Sequence, residues 1–98
     1  MTLSSDPFEV SNRLLFEAIR TDTNVGLTFC ALASEADEGS ERRIRNQMNA
    51  RKAYDTVLSV GKKTSLSGAE RQELAAGLDK LKTALEALGE HFQDDGGD

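Results

Sequence analysis

Few side chains in this sequence carry reactive chemistry. His91 is the single histidine and Cys30 the single cysteine, so any Ser-His-Asp or Cys-His arrangement has to use one or both. His91 stands between Glu90 and Phe92 near the C-terminus, where an imidazole serves more readily as a partner for a helix's negative end than as a catalyst. With Asp94 and Asp95 it makes at best a weak metal site, because the spacing matches no structural zinc pattern. Cys30 lies in the apolar run "LTFCALA", where a thiol is expected to act as a small hydrophobe, without the cation or helix N-terminus that would make it a thiolate. Glu35, Asp37, Glu38 and Glu41 cluster around Gly39 but form no D-x-D-x-D-G calcium loop. The first three oppose the negative pole of the helix they end, so the simplest expectation is that they meet the basic residues across the turn. No phosphate-binding, dinucleotide, nucleophile-elbow, H-E-x-x-H or C-x-x-C motif occurs. No catalytic residue, cofactor or metal ligand is assigned, and the expectation is a protein that is not an enzyme.

Charge is the next candidate for function. Between Arg42 and Lys63 stand seven basic residues and one acid, a local net charge of +6, in a chain whose total is −5. Arg42, Arg45, Asn49 and Lys52 share one helical stripe and could follow a phosphate backbone. The acidic flanking segments, and the lack of aromatics in the stripe, argue against a nucleic-acid partner. The competing expectation is a basic helix set between acidic neighbours, paired with them at the rim.

Ala50, Tyr54 and Val57 have a spacing similar to A-x-x-x-[FY]-x-x-A in the second helix of a tetratricopeptide repeat, with valine in place of the last alanine. In that family the small residue lets the paired helix approach and the aromatic fills the gap, so the resemblance implies a helical hairpin with Tyr54 inside. It covers one helix only: Lys62 stands where the repeat usually has proline, the preceding helix lacks W-x-x-L-G-x-x-Y, and there is no second copy. More loosely, "GLTF" followed by "NARKAYDTVL" resembles a family of small uncharacterised bacterial helical proteins, which implies no chemistry.

The elements that position these residues follow from pattern. Asp6, Pro7 and Glu9 read as N-cap, N1 and N3 of a first helix. Its apolar positions Leu15, Ile19, Phe29, Leu32, Ala33 and Ala36 stay in phase to about Asp37, although "RTDTN" could cap a second helix and Gly26 costs ~1 kcal/mol relative to alanine. Gly39 and Ser40 suit a helix stop and a new N-cap. The next helix is expected over about Glu41 to Val60, with Ile44, Met48, Ala50, Ala53, Tyr54, Val57 and Leu58 as its apolar sector and Gly61 as its end. Ser67 with Glu70 forms a capping box, followed by a heptad seam of Leu74, Leu78, Leu81, Leu85, Leu88 and Phe92.

The fold class expected is therefore all-α, an up-and-down bundle of three or four helices, with residues 1–93 as one domain and 94–98 as a flexible acidic, glycine-rich tail. At 98 residues, roughly 60–65% of the unfolded surface is buried on folding, enough for one modest core. No apolar run approaches the ~20 residues of a membrane span. One cysteine and an N-terminus without a basic and apolar leader point to the cytoplasm. The function expected is non-catalytic protein–protein interaction or assembly, with a protein partner or a second copy. Leu14 and Phe16 are the apolar candidates because they and Phe8 cannot all face one core. Arg42, Arg45 and Lys52 are the polar candidates, and they would also carry the alternative of regulatory nucleic-acid binding.

Overall fold

The computed structural model describes the backbone of residues 7–92 and the side chains of residues 11–92. The Asp6 cap, the Phe8 side chain and the 94–98 tail lie outside the described residues. The chain folds as an all-α bundle of three helices, α1 (Pro7–Glu35), α2 (Glu41–Lys63) and α3 (Gly68–Ala87). Gly26 of α1 meets Ala53 of α2 and Leu81 of α3, Gly77 meets Thr23, and Gly61 meets Leu74. Arg43 reaches back to the carbonyls of Ala33 and Ala36, and Glu90 reaches Gln47 and Arg51. This register makes α2 antiparallel to both neighbours and α1 parallel to α3, the up-and-down order.

The first helix is continuous over 29 residues. The threonines that resemble a second N-cap bond backwards instead: Thr23 Oγ1 donates to the Ile19 carbonyl at 2.8 Å and Thr28 Oγ1 to the Asn24 carbonyl at 3.0 Å. A hydroxyl satisfied one turn back does not cap a new start. The buried positions of α1 are Phe16, Ile19, Thr23, Gly26, Cys30 and Ala33, a heptad seam in which only the first two side chains are large. Opposite it, α2 buries Ala50 and Val57, seven residues apart, with its cap Thr64 seven further on. Small residues on both sides let α1 and α2 approach closely. Larger volume enters from α3, whose Leu81 and Leu85 are fully buried and contribute roughly 1.5–3 kcal/mol each by burial.

The helix ends follow local rules. Gly39 has φ +77°, and the Ser40 side chain accepts from the Arg43 amide at 3.1 Å. Both halves of the Ser67–Glu70 capping box form. Two ends differ from expectation. α2 passes through Gly61 to Lys63, because that glycine is a place of close approach for Leu74 rather than a stop. α3 ends at Ala87 instead of continuing to Phe92: Gly89 takes φ +104°, its amide donates to the Glu86 carbonyl and the Glu90 amide to the Leu85 carbonyl, each at 3.0 Å. Those two bonds are a Schellman stop. Three apolar positions expected in the core are also open, Leu15 at 41%, Ile44 at 52% and Met48 at 62% exposure. The α2 seam centres on Ala50 and Val57, so Ile44 and Met48 stand at its outer flank, where the shortened α3 does not cover them.

Candidate functional site

The α1–α2 hairpin has two broad faces, and α3 lies on one. That covered side takes Leu27 of α1 and Tyr54 of α2 into contact with the core cluster. On a wheel of 100° per residue, Ala18, Val25, Phe29, Leu32 and Ala36 fall on the side of α1 away from α3, with Leu14 at the edge and half-buried Asp22 beside Phe29 as the one charged residue among them. Val25 is 42% and Leu14 64% exposed, Ala18 is exposed, and Phe29, Leu32 and Ala36 are half-buried, Phe29 packing against the core cluster. The facing side of α2 carries Arg42, Asn46, Asn49, Ala53, Thr56 and Val60 and is bordered by Arg45, Lys52 and Lys63. The result is an apolar stripe on α1 beside a polar and basic edge on α2.

The sequence candidates divide across this geometry. Leu14 lies on the open face, near the end of α1 that runs beside the C-terminus of α2. Phe16 does not: at 4% exposure it is a core residue, with the Arg20 guanidinium 4.9 Å above its ring. The reading of Phe16 as leftover surface is corrected by the phase of α1, in which Phe16 begins the buried seam. Arg42, Arg45 and Lys52 are all exposed and lie along the outer flank of α2, towards the end opposite Leu14. They and Leu14 share a face without forming one compact site. Val25, the central exposed residue of that face, was hidden in the sequence because a continuous phase alone does not say which side a third helix covers.

Of the basic residues of α2, only Arg51 pairs with an acidic neighbouring segment as expected, among the described residues. Arg43 spends its guanidinium on the carbonyls at the end of α1, at 3.4 and 3.5 Å, rather than on Glu35, Asp37 or Glu38. Arg45 reaches only Glu41 within its own helix, at 3.7 Å. Arg51 makes the one ion pair from α2 to another segment among the described residues, to Glu90 at 3.1 Å. No ion pair among the described residues engages Arg42, Lys52, Lys62 or Lys63.

The remaining chemical candidates are structural in place. Cys30 is buried at 5% exposure, and burial pushes its thiol pKa up, away from the thiolate. His91 is exposed, and its backbone carbonyl accepts from Arg51 Nη1 at 3.4 Å. Among the described residues no group of three or more His, Cys, Asp or Glu side chains stands close enough to hold a metal ion, and no helix is long and apolar enough to cross a membrane. A shallow cleft of about 200 Å³ between α1 and α3 is lined by Phe16, Thr23, Leu74 and Gly77. The Arg20–Glu73 pair closes its lip, with two parallel hydrogen bonds of 2.7 and 3.0 Å. That bond holds the Glu73 carboxyl below the ordinary carboxylate range. Compared with protein-family models, curated proteins and solved structures, the chain matches none of them.

Proposed function

We propose that this chain is a non-catalytic protein–protein interaction or assembly module that binds through the α1–α2 face turned away from α3. The observation that carries the reading is the one-sided coverage of the hairpin, which leaves Leu14 and Val25 open beside half-buried Phe29 and Leu32. Single exposed apolar side chains are ordinary on any surface, but a stripe along one helix is the pattern of a docking face. Arg42 and Lys52, free of ion pairs among the described residues, border that stripe and supply the polar rim such faces use for orientation. We take its setting to be the cytoplasm, where a lone buried thiol such as Cys30 stays reduced.

The test is the mass of the tagged chain in native cell extract, wild type against Val25→Lys/Leu32→Lys. The account expects wild type well above monomer mass and the variant at monomer mass, both with the same helical circular dichroism. Wild type at monomer mass, or a variant of unchanged large mass, contradicts it.

The exposed basic flank of Arg42, Arg45 and Lys52, in which only Arg45 meets an acid among the described residues, also favours a second reading, regulatory binding of nucleic acid. This reading expects retardation of a duplex or single strand at ~50 mM salt that weakens steeply as salt is added. No retardation at that salt eliminates it.

A further inference from the structure

We infer that the occupant of the open face is a second copy of this chain, docked about a two-fold axis parallel to the helices, to form an antiparallel four-helix layer with an α3 on each outer side. The inference rests on the interaction reading above and deepens it. Its argument is charge. The far edge of α1, beyond Leu14 and Leu32 on the wheel, carries Glu17, which Arg20 of the same helix pairs at 3.2 Å, and Glu35, both exposed. The far edge of α2 carries Arg45, Lys52 and Lys63, with Arg42 inside it in line with Val60, all four basic residues exposed. The stripe thus has Glu35, outside every ion pair among the described residues, at one border and base along the other.

Two copies can meet face to face about two kinds of in-plane axis. An axis perpendicular to the helices stacks α1 on the partner's α1, acid edge over acid edge, and α2 on the partner's α2, base over base. An axis parallel to the helices sets α1 over the partner's α2, acid over base, twice. The level along the bundle also matches. Within one chain Gly26 runs beside Ala53 and the end of α1 beside Arg43. At unchanged level, Glu35 therefore faces the partner's Arg42 and Arg45. Every α1–α2 contact across the interface is then antiparallel, which opposes helix dipoles favourably as in up-and-down bundles. Leu14, Val25, Phe29 and Leu32 enter the new layer, together with the partner's Ala53 and Val60. Asn46 and Asn49 bring amides and Asp22 a carboxylate to the same layer, where buried polar side chains fix register at some cost in stability.

Sedimentation equilibrium of the purified full chain tests this, with wild type, Val25→Lys, Glu35→Arg, Arg42→Glu and the double variant Glu35→Arg/Arg42→Glu. The expected result is a wild-type dimer, a monomer for Val25→Lys, and about tenfold weaker association for each single charge reversal. The double variant regains most of the loss, because each reversed edge again meets its complement in the partner. A wild-type monomer up to ~200 μM, well above the micromolar Kd of an ordinary interface, overturns the self-pairing. Charge reversals without effect, or without rescue in the double variant, overturn the parallel-axis arrangement. A monomer in purified solution that still shows Val25-dependent large mass in extract leaves the interaction reading standing with a different protein as occupant. Monomer mass in both removes the interaction reading as well.

Discussion

Gly26 decides how closely the three helices can pack. A Cβ placed there would lie 2.9 Å from Leu81 Cδ2 and 3.0 Å from Ala53 Cβ. Leu81 is fully buried and Ala53 has no rotamer to yield. Gly26→Ala therefore gains ~1 kcal/mol of helix propensity but loses about 1–3 kcal/mol to overpacking, with a net loss expected in urea denaturation. Gly61→Ala is the contrast. Its Cβ would meet Leu74 Cδ2 at 2.6 Å, the far end of a half-buried leucine that can swing away, so this variant is expected to be neutral or more stable by up to ~1 kcal/mol. A Gly26→Ala protein at least as stable as wild type would refute the packing account.

The same scale sets a pH prediction. Glu73 is held below its ordinary pKa, chiefly by its hydrogen bonds from Arg20. A carboxyl depressed in the folded state adds stability that is fully present above the ordinary carboxylate range and is lost as pH falls through the lower folded value. Glu73→Gln should flatten that part of the acid side of the stability profile in urea titrations at stepped pH. The pair is exposed, so the effect is small and shrinks with added salt.

At the scale of elements, the segment after α3 is held by a few side chains of α2. Gln47 Nε2 donates to Glu90 Oε2 at 2.6 Å, Arg51 Nη1 to Glu90 Oε1 at 3.1 Å, and the Arg51 guanidinium stands 4.2 Å from the Phe92 ring centre. Phe92 in turn meets Tyr54 edge-on, with ring centres 4.8 Å apart. Arg51→Ala removes ion pairs to Glu90 and Asp55, a hydrogen bond to the His91 carbonyl and cation–π contacts with Phe92 and Tyr54, and should cost about 1–2 kcal/mol. Hydrogen exchange should locate the loss: the Gly89 and Glu90 amides, bonded to Glu86 and Leu85, lose protection before the α1–α2 seam does. Uniform loss across all three helices would show that Arg51 supports the whole bundle rather than its last segment.

Much of this level was legible beforehand. Ser40 and Ser67 announce their helices because their oxygens can satisfy free amides whatever the tertiary context. The leucine seam announces α3 for the same local reason. The stop at Gly89 was missed because Leu88 and Phe92 kept the heptad phase across it, although a glycine after a helical run is itself a stop signal. Ile44 and Met48 were misplaced because periodicity gives a sector and not its centre. The centre is set by which side chains are small enough to admit α1, here Ala50 and Ala53.

At the scale of the molecule, α1 and α2 bury mostly small residues against each other, while Leu14, Leu15 and Val25 remain open. The seam accounts for the hairpin and α3 for one of its faces. The other face, apolar on α1 and polar on α2, is what the fold leaves for a partner. The sequence signalled that apolar surface would be left over on α1. It could not say that Leu14 stays out while Phe16 goes in, because that depends on the position of α3 relative to two helices far from it in sequence. Nor could it show that Arg42 and Lys52 make no ion pair among the described residues, because the acids expected to meet them stand at the turn while the carbonyls of α1 take Arg43.

The central claim is that this face is covered in the working protein, and residue-specific photo-crosslinking in cells addresses it most directly. A photoreactive amino acid at Val25 should give discrete protein adducts, whether to a second copy or to another chain. The same group at Asp79, exposed on α3, should give only diffuse background. Equal background at both positions, or discrete adducts only at Asp79, would contradict the account.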